Sequence, residues 1–339
     1  MRVAIYGAGA MGTVLGAYIN RAGYEIDLIN RNKNHVNALN TKGAQIVGNT
    51  NFIQPVKAYL PNQMSGKYDI ILLMTKQKYN RETMEFLLPY LKDDSLVCTM
   101  QNGLPELSVA NVIGEGRTCG CTMSWGATFH GDGVSELTSK DSRETLTFSI
   151  GKYGNNNSVL FDYIVEMLNT MGKVKIEKNL IGARWAKLLI NSAFSGLSVI
   201  SGLTFGELAK NKKSRLIALK IIKEGIEVAK ANNIKVEPLQ GKDIVKLIDY
   251  NSLFKMKISL FLIPIAMKKH QAIKSSMIRD LLQGRETEID AINGVVSEFG
   301  SKAGFKTPLN NHIIEIVHKI EKKELNIDKK NINLLDNLI

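Results

Sequence analysis

Cysteine is scarce in this chain: Cys98, Cys119 and Cys121 are the only three in 339 residues. An odd count without framework spacing excludes a disulfide scaffold and points to a reducing compartment. Cys119 and Cys121, with only His130 near them, lack a metal-ligand spacing, so no metal is expected. Long apolar runs are missing too. The run ISLFLIPIAM at 258–267 is too short to span a bilayer and contains Pro264. A strand-like segment occupies the first residues, so no secretory signal is expected and the chain reads as a cytoplasmic, enzyme-sized protein. The lysines also lack interleaved aromatics, which argues against nucleic acid despite a net charge of +12. That charge is uneven. Residues 1–180 carry 18 Lys and Arg against 16 Asp and Glu; residues 181–339 carry 26 against 16. A lysine-rich solvated surface accounts for such an excess, and small anionic ligands are its other use.

What is present begins at once. In MRVAIYGAGAMGTVLGAYINR, an apolar strand at Val3–Tyr6 runs into Gly7-Ala8-Gly9-Ala10-Met11-Gly12, and helical character follows. Glycine at the first position allows a tight turn, at the second a close approach of backbone to a pyrophosphate, and at the third tight helix–strand packing. Phosphates then meet unpaired N–H groups at the helix start. A glycine turn in an unrelated α/β unit is the competing account, and the position between strand and helix speaks against it. Residues 24–30 read as the second strand. YDIILLMTK (68–76) and SLVCTMQNG (95–103) are near-continuous apolar runs, as parallel strands covered on both faces require. Ligands bind beyond the carboxyl ends of such strands, which makes Lys76 and Asn102 candidate cofactor contacts against the alternative of ordinary loop residues. Residues 120–151 read as antiparallel strands completing this domain.

After about residue 158 the periodicity turns helical, with one more strand signal in GKVKIEKNL (172–180). The expectation is an α/β Rossmann-type N-terminal domain over 1–180 and an all-helical C-terminal domain over 181–339. The packed helices are expected to end near residue 325 and the tail to be an exposed amphipathic piece. No internal repeat is evident.

Within AKLLINSAFSGLSVISG, Lys187, Asn191 and Ser195 recur at four-residue steps and share one helix face. A lysine in so apolar a helix either snorkels to solvent or keeps its charge beside a carboxylate and a ligand. In the second case it can donate a proton and stabilise an oxyanion. The other polar cluster is SSMIRDLLQGRETEID (275–290). By itself it reads as a solvated, salt-bridged helix pair.

Taken together these motifs resemble the ketopantoate reductase (2-dehydropantoate 2-reductase) family. They are the glycine motif at 7–12, TK at 75–76, QNG at 101–103, K-x-x-x-N at 187–191, SSM…D at 275–280 and TEID…NG at 287–294. The resemblance implies NADPH-dependent reduction of ketopantoate to pantoate, for pantothenate and coenzyme A synthesis. It implies Lys187 as the general acid and Glu288 as its partner and the ligand of the substrate's far hydroxyl. Asn191, Ser195 and Ser276 would hold the substrate, Ser276 near its carboxylate. Asn102 and Lys76 would line the cofactor cleft between the domains. Two positions depart from the family, which often has asparagine at Ser195 and near Phe205. Reduction of another small 2-oxo acid therefore stays open, and so does a catalytically inactive nicotinamide-sensing protein. For the cofactor, Asn30-Arg31 stand where an NAD-selective fold carries an acidic residue, and Asp27 lies inside the strand, so NADP is expected. A monomer or a homodimer satisfies all of this.

Overall fold

The computed structural model describes residues 1–155, 158–239 and 241–339. The chain divides into two compact units, Met1–Leu180 and Ile181–Ile339.

The first unit opens with β1 (Val3–Tyr6), α1 (Ala10–Arg21), β2 (Ile26–Ile29) and α2 (Lys33–Lys42), followed by β3 (Ala44–Gly48), β4 (Phe52–Gln54) and β5 (Lys57–Tyr59). It continues with β6 (Tyr68–Leu73), α3 (Asn80–Leu87), β7 (Leu91–Thr99), α4 (Pro105–Ile113) and β8 (Thr118–Met123). It closes with β9 (Ala127–Gly131), β10 (Val134–Leu137), β11 (Phe148–Lys152), α5 (Leu160–Asn169) and β12 (Val174–Ile176). Among the described residues the main sheet has the order β12-β11-β8-β7-β6-β1-β2-β5. Its centre is parallel, and only the β8–β11 pairing is antiparallel.

Burial on both faces explains the apolar runs of the central strands. Ile5, Leu28, Ile70 and Leu72 face a core shared with Val14 and Leu15 of α1 and Val36 and Leu39 of α2. Ala4, Ile29, Ile71 and Leu73 face the opposite core, with Met84 and Leu87 of α3 and Val109 and Ile113 of α4.

The structure corrects one expectation here. Residues 120–151 do not simply extend the main sheet. β9 and β10 leave it and form a second sheet in the order β4-β3-β10-β9, with β10 parallel to β3. The reason is that β3 and β4 form an antiparallel hairpin whose free edge needs a partner.

The second unit is helical among the described residues: α6 (Leu180–Ser201), α7 (Phe205–Lys210), α8 (Lys212–Ala231), α9 (Ile244–Ile248) and α10 (Leu253–Ala266). It continues through α11 (Ser276–Leu282), α12 (Val295–Lys302) and α13 (Pro308–Glu321), with a short π-helix at Asp290–Gly294 leading into α12. Trp185 of α6 is buried, donates its indole N–H to the Gly225 carbonyl of α8 at 3.0 Å and stacks edge-on against Phe299 of α12. Gly225 allows that approach, since a Cβ there would lie 2.5 Å from the Leu189 side chain.

The tail is a second correction. It is not a loose amphipathic piece beyond residue 325. Residues Lys329–Leu338 form a 3-10 helix with Asn331, Ile332 and Leu335 buried. Asn331 donates its side-chain amide to the Ile200 carbonyl, one of those near the end of α6 that lack helical partners.

Candidate active site

The register of the main sheet brings the sequence-predicted residues of the first unit to one edge. Tyr6, Ile29, Leu73 and Thr99 stand in a row across β1, β2, β6 and β7. Beyond that row follow, strand by strand, Gly7, Asn30-Arg31, Lys76 and Asn102. Strand order reverses on either side of β1, and such a switch point is where open α/β sheets bind ligands.

The three glycines have separable reasons. Gly7 has a φ of +101°, and a Cβ there would lie 2.7 Å from the Thr75 backbone nitrogen. Gly12 lies against Ile5, which a Cβ would reach at 3.0 Å, so α1 sits tight on β1. A Cβ on Gly9 would meet nothing within 4 Å. Gly9 caps α1 without a side-chain hydrogen bond, and the first turn holds no acidic residue. The N–H groups of Ala10, Met11 and Gly12 therefore face an open approach with no competing anion, which fits the pyrophosphate of a dinucleotide.

Sequence reasoning missed the groups that hold this loop. The Ala8 carbonyl accepts from the Asn30 side-chain amide at 2.8 Å and lies 3.1 Å from Nε2 of the buried His35. The Gly133 N–H donates to His35 Nδ1 at 3.0 Å, so the proton sits on Nε2, which donates to Ala8. Burial pushes the His35 pKa below its ordinary 6.5. The sign follows. A depressed histidine adds stability that is full above 6.5 and is lost as pH falls through the lowered folded value. Thermal melts across an acidic pH series should show this loss in the wild type and less of it in His35→Gln, which keeps a neutral donor and acceptor. Equal pH slopes would remove His35 from the account.

Asn30 also accepts from the Asn32 N–H, so its side chain is committed to the turn. Asp27 is held inside the sheet by Tyr68 and Arg2. Arg31 is exposed beyond β2. At the neighbouring strand ends, Gln101 donates to the Thr75 carbonyl and to Asn80, fixing the loops that carry Lys76 and Asn102.

In the second unit, Lys187 and Asn191 lie half-buried on α6 and Ser195 is buried. Two hydrogen bonds tie that helix to the segments holding the other candidates. Asn293, in the π-helix that follows Glu288, donates to the Ser192 carbonyl at 3.0 Å. The Ser275 N–H donates to Ser198 Oγ at 3.1 Å, which anchors the start of α11, where Ser276 is exposed. Glu288 is half-buried, beside Thr287, whose N–H and hydroxyl both donate to Glu321 at 2.7 Å. Asn293 is held in turn by Asn310, and Asn310 by the Glu224 carboxylate. Glu224 also accepts the first-turn N–H groups of Leu309 and Asn310, so a residue of α8 caps α13. Burial raises the Glu224 pKa, against the pull of these donors.

The remaining charges of 275–290 are not all solvated, contrary to the sequence reading: Asp280 is buried, whereas Arg285, Glu286 and Asp290 are exposed. Arg285 pairs with Asp280 at 3.1 Å, and Asp290 pairs with His318 at 3.2 Å. Phe205 is buried on Phe194 of α6, with ring centroids 5.7 Å apart. Among the described residues no group of three side chains could hold a metal ion, and no helix is long and apolar enough to cross a membrane.

A glycine-loop sheet followed by a helical unit with a lysine and a carboxylate on adjoining segments defines a class: the nicotinamide-dependent oxidoreductases. The family profile Ketopantoate reductase PanE/ApbA matches residues 3–149, and Ketopantoate reductase PanE/ApbA C terminal matches residues 179–321. The chain is 28% identical to the 2-dehydropantoate 2-reductase of Pyrococcus horikoshii over 313 residues, covering 91% of this chain and 94% of that one. It is 25% identical to the enzyme of the same name from Lactococcus lactis subsp. lactis, covering 95% and 98%. Among solved structures it is similar to D-mandelate dehydrogenase with NADH and anilino(oxo)acetate (TM-score 0.81, 22% identity, 95% and 99% coverage). A PanE/ApbA family ketopantoate reductase from Ralstonia eutropha JMP134 gives a TM-score of 0.79 at 24% identity, with the same coverage. The chain belongs to the ketopantoate reductase family, oxidoreductases that act on a CH–OH group of a small molecule.

Proposed function

We propose that this protein reduces 2-dehydropantoate to pantoate with NADPH, as a cytoplasmic biosynthetic enzyme. The observation that carries the proposal is the pair of hydrogen bonds at Ser192 and Ser198, which gather α6, the Glu288 segment and the Ser276 helix start into one packed unit. Family membership supplies the reaction class.

In this reading the first-turn N–H groups of α1 hold the cofactor pyrophosphate, with Gly7, Ala8 and Gly9 shaping the approach and Lys76 and Asn102 completing the site. The reduced nicotinamide, when bound, supplies the hydride that C2 of the substrate receives. Lys187, as the ammonium, donates a proton to the C2 oxygen as charge develops there. Glu288 keeps Lys187 charged and accepts from the distal hydroxyl. Asn191 and Ser195 orient the substrate along α6, Ser276 donates to its carboxylate, and Asn102 is assigned to the substrate as well as to the cofactor.

Arg31 carries the NADPH preference. A guanidinium beyond β2 forms charge-assisted bonds to a 2′-phosphate, and the one carboxylate of that strand, Asp27, is turned into the sheet. Steady-state kinetics should show kcat/KM higher with NADPH than with NADH, and Arg31→Ala should narrow the ratio by about tenfold. Equal efficiency of the two cofactors in the wild type would sink the assignment.

One observation favours a second reading. Phe205 and Phe194 form an apolar contact near Ser195, where the family often carries asparagines. Apolar packing in place of those amides would favour a 2-oxo acid with a larger apolar group. A panel of 2-oxo acids assayed with each cofactor decides between the two.

A further inference from the structure

Helix α10 has its apolar side outward. Phe254, Ile258, Phe261 and Ile265 are 75%, 42%, 70% and 56% exposed, and Leu253 beside them is 75% exposed. At 100° per residue these four fall within about 60° of one another on the helix surface. Only Ser259 and Ile263, on the opposite side, are buried in the helix, which packs on α7, α8 and α9. A helix apolar all round is ordinarily covered on every side.

We propose that this face is covered by a second copy of the chain, with the two α10 helices antiparallel across a two-fold axis. The spacing is the argument for that occupant. Phe254, Ile258, Phe261 and Ile265 are separated by steps of four, three and four, a palindrome centred between Ser259 and Leu260. An antiparallel pair about that centre sets Phe254 against the partner subunit's Ile265, and Ile258 against the partner subunit's Phe261. Every contact then joins a ring to a branched aliphatic chain, and each is made twice, as an isologous interface demands.

Charge agrees with the pairing. Lys255 meets the partner subunit's Pro264 and Lys257 meets the partner subunit's Leu262, so no lysine of α10 faces its own copy. At 1.5 Å per residue the two Lys255 residues stand about 13 Å apart along the axis, beyond the ~8 Å screening length at physiological salt. The two Lys257 residues stand about 7.5 Å apart, but they are exposed and lie about 40° outside the apolar stripe, at the rim where water reaches them. Area agrees as well. With ~200 Å² per ring and ~100 Å² per aliphatic side chain, scaled by these exposures and counting Leu253, the face offers about 450 Å² of apolar surface. A standard interface of ~800 Å² per partner, about 65% apolar in homodimers, needs close to that amount.

Sedimentation velocity of the full chain at micromolar concentration tests the proposal, with far-UV circular dichroism to confirm folding. The wild type is expected to run as a dimer, and Phe254→Glu/Phe261→Glu as a folded monomer. Mixing Ile258→Glu/Phe261→Glu with Ile258→Lys/Phe261→Lys should restore a dimer that neither forms alone, because residue 258 meets residue 261 across the axis. A monomeric wild type, a dimer indifferent to these changes, or failed rescue by the opposite charges would each overturn it. So would a monomeric wild type that pelleted with phosphatidylserine vesicles, which would give the face to a lipid surface.

Discussion

Lys187→Ala is expected to lower turnover by about two to four orders of magnitude, the range for losing a positioned proton donor. The argument starts from α6. Among its 22 residues, neighbours such as Trp185, Ala186, Leu188 and Leu189 are buried, and a cation at half-burial in that company needs a purpose. Reduction of a carbonyl builds negative charge on oxygen, and an ammonium held at that oxygen both stabilises the charge and ends it by transfer. Cofactor affinity, read by titration with the reduced nicotinamide, should stay within about threefold, because the anion-ready helix start and Arg31 belong to the other unit. The split is the diagnostic: chemistry lost, cofactor binding kept. Lys187→Arg keeps the charge but misplaces the proton and donates it poorly, so it should recover little. Near-normal turnover in Lys187→Ala would take the residue out of the mechanism.

The sheet was legible where its reasons are local. Val3–Tyr6, Gly7, Gly9 and Gly12 announce a strand, a turn and a helix within a dozen residues, and the runs at 68–76 and 95–103 show burial on two faces. The hairpin β3–β4 and its union with β9 and β10 were not legible. ATFHG and FIQ are short and half-exposed, and the pairing that makes them strands is long-range. The candidate site divides the same way. The stripe Lys187–Asn191–Ser195 follows from helix period alone. The supports do not: His35 meets Gly133 across 98 positions, and Asn293 meets Ser192 across 101. No periodicity encodes such pairs. The tail misled for a related reason: Leu335 and Ile332 are too few to signal packing, and the Asn331 bond to the Ile200 carbonyl, which orders them, spans 131 positions.

On the proposed reading, Glu288 chooses the substrate. Ketopantoate offers a carboxylate, a carbonyl and a distal hydroxyl, and in that reading Ser276, Lys187 and Glu288 take one each. A carboxylate placed to accept that hydroxyl loses a partner when 2-oxoisovalerate, which lacks the hydroxymethyl group, binds instead. A sealed site of this kind discriminates by about four orders of magnitude. Glu288 is half-buried, and water can reach a group of that exposure, so the expected gap in kcat/KM is nearer a hundredfold. Glu288→Ala should shrink the gap to within about tenfold, chiefly by harming ketopantoate. It should also slow both substrates, because in the proposed mechanism the same carboxylate has the task of keeping Lys187 charged. Glu288→Gln separates the two roles. The amide still meets the hydroxyl and keeps part of the selectivity, but it no longer favours the charged lysine, so kcat falls for both. If Phe205 and Phe194 choose the substrate instead, 2-oxoisovalerate or a larger apolar 2-oxo acid will outperform ketopantoate in the wild type. Glu288→Ala will then leave the ranking unchanged. That result would end the pantoate assignment and leave the family's reductase chemistry in place.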